Sequence, residues 1–281
     1  MQDFDARNYL DFLSSCGDEQ IDLGLAAVAM SCALHPGRSA LRYVNHLSGL
    51  VGDVQSRFEA LREESAQDDA GTRLAALKYV LCDMYDYHAS ADGVEPLEAA
   101  DPVRVIDERR GYAAVVCLLY MHVARSMRWE IEGLRFPKYF LCRIEAGGQR
   151  LIFDAAQGCR LMEAQDLRAL VKEKVGAEAE LSSSYLEPVG DRALLIHIFN
   201  KIKARQIEMG DYAGALETLS VMRRCDPEEY RLWLDSGVLY VKTGQVEEAQ
   251  RDLSAFVDVA PAGRDRQDAL LLLDEIRRLE K

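Results

Sequence analysis

Covalent chemistry in this 281-residue chain would have to come from its seven cysteines, its five histidines and a carboxylate, Asp154, that closes the apolar run Leu151-Ile152-Phe153. A thiol becomes a nucleophile where its surroundings favour the thiolate, a histidine takes the proton, and a carboxylate orients the histidine. Two cysteines lie in apolar segments, Cys117 in a helical stretch and Cys142 in a β-type run, and both are expected to fill the core. His122 stands five positions after Cys117 and so falls off its face of a helix. His88 lies among small and acidic residues, and His35, His46 and His197 keep no spacing that a shared site would need. Cys16, Cys32, Cys82, Cys159 and Cys225 are scattered, no pair forms C-x-x-C, and the total is odd, so neither a metal cluster nor a disulfide framework is expected. Reduced thiols are the simpler reading. Acid rather than Lys or Arg in Met1-Gln2-Asp3-Phe4-Asp5 argues against a secretory signal, and the expected location is the cytoplasm.

The composition, 49% hydrophobic and 29% charged, is that of a water-soluble chain, with no uninterrupted apolar run long enough to span a bilayer. A net charge of -13 opposes a phosphate backbone, so nucleic acid is not an expected partner. Neither is a membrane, and no cofactor is expected.

The elements that must position these groups follow from periodicity. From Asp5 to about Tyr87 the pattern is helical: Leu23, Ala26, Ala27, Met30, Ala33 and Leu34 recur at helical spacing, and His35-Pro36-Gly37 ends that element. Leu41, Val44, Leu47, Val51, Val54 and Phe58 form the next stripe, Glu63 to Thr72 is a polar loop, and Leu74 to Tyr85 resumes helix. His88 to Asp101 is an irregular connection. Gly111 to Met127 is a buried helix. Then come β-type runs over 129–134, 139–144 and 151–154, with Gly147-Gly148 as a hairpin turn, and helix again from Ala164 to Lys174.

The C-terminal third repeats at an offset of 34. Gly210-Asp211-Tyr212-Ala213-Gly214-Ala215-Leu216 lies in register with Gly244-Gln245-Val246-Glu247-Glu248-Ala249-Gln250, and each is followed by a proline, Pro227 and Pro261. Small-residue turns between amphipathic helices at this period build stacked hairpins, because one hairpin cannot bury its own apolar face. Helices are expected over 192–209, 212–224, 228–242 and 246–259, with a closing helix over 266–279. The unit resembles the tetratricopeptide repeat.

Two upstream segments resemble the bacterial SirB1 family. One is Val105-Ile106-Asp107-Glu108-Arg109-Arg110-Gly111 running into Leu118-Leu119-Tyr120 and Val123-Ala124-Arg125; the other is Gly133-Leu134-Arg135-Phe136-Pro137-Lys138-Tyr139-Phe140-Leu141-Cys142-Arg143, followed by Phe153-Asp154 and Gly158. Ile21-Asp22-Leu23-Gly24-Leu25-Ala26-Ala27 fits the same family. The resemblance implies an α+β protein: a helical N-terminal part (1–100), a transglutaminase-like, papain-like core with a small antiparallel sheet (101–185), and an all-α tetratricopeptide-repeat module with a capping helix (191–281). It also places the active-site frame. The nucleophile's position at the helix start holds Ala113, a loss common in SirB1-like proteins, and the base's position, in Lys138-Tyr139-Phe140 where the family has Gly-His-Phe, holds Tyr139. A phenol with a pKa near 10 is a poor base at neutral pH. Only the orienting carboxylate, Asp154, is in place.

The expected function is therefore non-catalytic: a pseudoenzyme of the transglutaminase-like class that binds a protein or peptide. The concave face of the repeats, around Asn200, Lys203, Gln206, Arg231 and Leu234, would hold an extended segment or a helix. The rival expectation is a cysteine-dependent hydrolase or acyltransferase with a displaced thiol at Cys117 or Cys142. A third is that the repeats pack back on the core and bury their groove.

Overall fold

Aspartates start the helices. In a computed structural model, which describes residues 4–90 and 97–279, Asp5, Asp22, Asp69, Asp101 and Asp211 each accept backbone N–H groups of the first turn that follows. Each cap satisfies donors that have no partner within the helix. In chain order these helices and their companions are α1 (Ala6–Leu13), α2 (Leu23–Leu34), α3 (Ala40–Glu63), α4 (Ala70–Leu77), which runs on as a wider π turn over Lys78–Met84, and α5 (Pro102–Glu108). A two-residue strand β1 (His88–Ala89) pairs in parallel with β2 (Arg110–Gly111).

Helix α6 (Ala113–Ser126) is buried on every side from Ala113 to Ala124, which suits its apolar run and makes it the axle of the core. Behind it stands an antiparallel sheet in the order β3 (Glu130–Leu134), β4 (Leu141–Ala146), β5 (Gln149–Asp154), β6 (Arg160–Leu161). Gly147 and Gly148 turn β4 into β5 at φ of 58° and 75°, a conformation that favours glycine. Helix α7 (Ala164–Val175) covers Leu134, Phe136 and Leu141 with Leu167 and Val171. The repeats follow as α8 (Asp191–Glu208), α9 (Tyr212–Cys225), α10 (Arg231–Lys242), α11 (Val246–Val259) and α12 (Arg264–Leu279). Gly210 and Gly244, at the same place in successive units, have φ of 78° and 73°. That is why the 34-residue register keeps glycine there.

The structure departs from the sequence reading in four places. His88 to Asp101, expected to be irregular, contains strand β1 at its start and a 3₁₀ turn over Leu97–Ala100, while residues 91–96 of that stretch lie outside the described residues. Periodicity assigns no element to helix α5 or strand β6 and counts Gly111, which pairs in strand β2, into the helix that in fact begins at Ala113, because seven and two residues are too few to show a period. The loop assigned to 63–72 ends early, since Asp69 caps α4 at Ala70. Tyr139 is not on a strand: it sits in the turn before β4.

One apolar cluster runs from Leu10 and Leu13 through α6 to Leu194, Phe199, Leu219 and Met222, so α8 and α9 are packed into the core domain. Part of the repeat surface is thus spent on the core. Helices α11 and α12 have a cluster of their own, built on Leu253, Phe256, Ala269 and Leu273, to which α10 adds the half-buried Trp233 and Leu234 while its Leu232 and Leu239 join the core cluster.

Candidate functional site

Asp154 closes β5 and turns into a 3₁₀ turn over Ala155–Gln157, whose amides at Ala156 and Gln157 both donate to its Oδ1 at 3.1 Å. Its other oxygen accepts the Tyr139 hydroxyl at 2.8 Å. The carboxylate's acceptors are therefore engaged in holding the turn and the tyrosine. Burial raises its pKa above the ordinary value, offset in part by the Tyr139 bond and the two amides. The Tyr139 hydroxyl is pushed far up, by burial first and then by the charge of Asp154 and the bond to it. A phenol so held cannot serve as a base near neutral pH.

Ala113, the residue that the resemblance sets at the nucleophile's position, opens α6 and offers only a methyl group. Cys117, one turn on, and Cys142 on β4 are both fully buried. The two thiols are neighbours, and Cys117 Sγ lies 3.9 Å from the Phe140 carbonyl. The Cys117 thiol is raised well above its ordinary pKa by its contact with Cys142, by burial, and by the negative charge of Asp154. A reactive thiol needs the opposite surroundings. The structure thus brings Cys117, Cys142, Tyr139 and Asp154 together, in an arrangement that holds the thiol protonated.

One residue that spacing does not single out reaches this end of α6. His197, 85 positions from Tyr112, accepts or donates a hydrogen bond with its hydroxyl at 2.7 Å through Nε2, and its ring lies 6.0 Å from that of Phe140. Partial burial and then the charge of Lys201 lower its pKa. No local signal could have found it, because α8 belongs to the repeat module. Among the described residues no group of three or more His, Cys, Asp or Glu is placed to hold a metal ion, and no helix is long and apolar enough to cross a membrane.

This geometry fixes the sign of one experiment. Native Cys117 and Cys142 are expected to react with iodoacetamide at neutral pH at least about a hundredfold slower than in the urea-unfolded chain, while the half-buried Cys16 reacts readily. Asp154→Asn removes a negative charge near Cys117 and leaves that rate unchanged or raised; a fast native Cys117 that slows in this variant would restore the displaced-thiol enzyme.

The repeats carry a second, open feature. Between α8, α10 and α12 lies a cavity of about 410 Å³ with a largely apolar floor of Ile207, Leu234, Val238, Leu239, Ala269 and Leu272. Lys203, Lys242, Asp235, Asp265 and Asp268 edge it. Lys203 is itself buried, its ammonium paired with Asp235. Of the five residues expected on the concave face, Lys203 and Leu234 line this cavity. Asn200 is half-buried and does not line it; Gln206 turns into the hairpin to accept the Thr218 hydroxyl at 2.8 Å; Arg231 is exposed over the Tyr230 ring.

Comparison with known proteins agrees with these two parts. The transglutaminase-like superfamily profile matches residues 42–200, and a tetratricopeptide-repeat profile matches 202–274. A UPF0162 protein of Xylella fastidiosa (strain 9a5c) is 23% identical over 213 residues, 74% of this chain and 76% of its own. The SirB1 protein of Salmonella typhimurium is 23% identical over 159 residues, 56% of this chain and 59% of its own. A UPF0162 protein of Pseudomonas aeruginosa is 27% identical over 124 residues, 44% of each chain. No solved structure matches. With more than half its length under the first profile and repeats directly after it, the chain belongs to the transglutaminase-like superfamily, as a SirB1-like member that carries tetratricopeptide repeats.

Proposed function

We propose that this protein is a non-catalytic adaptor that holds a peptide segment of a partner protein in the groove between α8, α10 and α12. The observation that carries the reading is the open apolar floor: Val238 on it remains 41% exposed, and Leu234 and Leu272 are only half-buried. The core supports it from the other side, because the positions for nucleophile and base hold Ala113 and Tyr139 and the carboxylate is engaged by Tyr139 and two amides. Three aspartates against two lysines give the groove one net negative charge. The partner segment therefore carries apolar side chains for the Leu234–Val238–Leu272 floor and Lys or Arg facing Asp265 and Asp268.

The test is to pan a random 15-residue peptide library against the intact protein and measure the winners by fluorescence anisotropy. Enriched peptides should combine apolar and basic residues, and Val238→Glu and Asp268→Lys should each weaken them at least tenfold, about 1.4 kcal/mol. Both positions are on the surface, so the fold is retained, and this is checked by circular dichroism. Failure of any peptide to enrich, or equal binding by wild type and both variants, would refute the groove as the binding site.

A further inference from the structure

Helix α10 has two lined faces. Leu234, Val238 and Lys242 point into the groove described above, whereas Trp233, Ser236 and Tyr240, about half a turn away around the axis, line a separate cavity of about 410 Å³ against α9 and α11. Its other walls are Leu216, Leu219 and Pro227, and three arginines, Arg223, Arg224 and Arg251, open onto it.

Two of the arginines are set in place by a carboxylate that water does not reach. Asp252 is fully buried; its Oδ2 accepts Arg223 Nη1 at 2.9 Å and the Ser236 hydroxyl at 2.5 Å, and its Oδ1 accepts Arg251 Nε at 3.2 Å. Arg223 is further pinned by stacking on Trp233, its guanidinium carbon 3.4 Å from the ring centroid. A single buried negative charge thus orients two guanidinium groups and neutralises only one of them. Arg224 is matched by Asp11 at 2.6 Å. Arg251 is 63% exposed in its side chain, and its two terminal nitrogens meet no acceptor among the described residues. One fixed, uncompensated positive charge with paired donors, beside an apolar wall, is unusual on a chain of net charge -13.

We infer that this cavity is a binding site for a small organic carboxylate, whose charged end bridges Arg251 and Arg223 and whose apolar body lies along Leu216, Leu219 and Tyr240. The charge balance selects the ligand class: one uncompensated arginine matches one carboxylate, whereas a phosphate monoester would bring nearly twice that charge. The planar fork of arginine is geometrically suited to a carboxylate. The volume falls within the range of small-molecule sites. This site stands apart from the peptide groove and does not depend on it, since the two occupy opposite faces of one helix.

Trp233 provides the readout. In heteronuclear NMR spectra of the intact protein, its indole N–H resonance is assigned by comparison with Trp129→Phe and followed as hexanoate, benzoate, hexylamine or inorganic phosphate is added at constant ionic strength. Saturable movement is expected with hexanoate and benzoate and none with hexylamine. Phosphate should bind at least tenfold more weakly than either acid, and Arg251→Gln, a change at an exposed position, should weaken the acids at least tenfold with the remaining spectrum unchanged. Absence of saturable binding by both acids, equal binding by Arg251→Gln, or tighter binding of phosphate than of the carboxylates would each overturn the assignment.

Discussion

Arg192→Met is expected to lower the stability of the folded protein by about 3 to 4 kcal/mol, seen as a fall of roughly 10 °C in the thermal midpoint of this medium-sized chain. Arg192 opens α8 and ties three parts of the molecule together. Its guanidinium donates to the Leu13 carbonyl at 2.8 Å and to those of Cys16 and Cys225, and its Nε pairs with Asp18 at 2.9 Å. With the side chain only 15% exposed, methionine would fill part of the volume but leave carbonyls at the ends of α1 and α9 without their donor. The ion pair with Asp18 adds little by itself, since that carboxylate is half exposed. Differential scanning calorimetry on the two proteins checks the figure. A loss below about 1 kcal/mol would mean that water replaces the guanidinium and that the clasp between repeats and core is incidental.

Gly111→Ala is the second large effect, with an expected loss of about 3 kcal/mol or more. Gly111 does not have a positive φ; its constraint is space. A Cβ there would stand 2.2 Å from Val105 Cγ2 and 2.6 Å from the Ala99 carbonyl oxygen. That oxygen cannot retreat freely, because it accepts the Tyr112 amide at 2.6 Å, and the Gly111 carbonyl in turn accepts the Ser90 amide at 2.9 Å. The added methyl would push on the start of α6, where Tyr112 and Ala113 lie. Gly148 makes the contrast: its φ is 75° but nothing lies within 4 Å of where an added methyl group would stand, so Gly148→Ala should lose only about 1 kcal/mol, the ordinary penalty of a left-handed alanine. Chemical denaturation of both variants distinguishes steric from conformational constraint. Equal losses would show that the packing of α5 on β2 yields more readily than these distances imply.

Much of the fold is legible in the sequence. The helical stripes of α2 and α3, the hairpin at Gly147-Gly148 and the 34-residue register of the repeats are local periodicities, and each corresponds to an observed element. Of the residues that the resemblance names, Tyr139 and Asp154 do meet, although Tyr139 comes from a turn and not a strand. What spacing does not supply is the company of these residues. Cys117 and Cys142 look independent by position, yet they are neighbours, and their contact together with burial holds the Cys117 thiol protonated. His197 keeps no spacing that names a partner, and it bonds a residue 85 positions away.

The division has a physical cause. By itself the sequence determined what shows as a period or a turn within a few residues: the helical stripes of α2 and α3, the glycine turn at Gly147-Gly148, and that the last third must be stacked hairpins, because exposed apolar stripes at that period have no other way to be buried. Only the tertiary structure decided which side of each helix met which partner. It packed α8 and α9 into the core and left the groove against α10 and α12 open. It also placed Arg192 on a carbonyl 179 positions away. It buried Asp252 beneath two arginines on the far side of α10. Contacts of that kind join residues whose separation along the chain carries no period. They exist only once the apolar surfaces have packed and the desolvated charges have found each other.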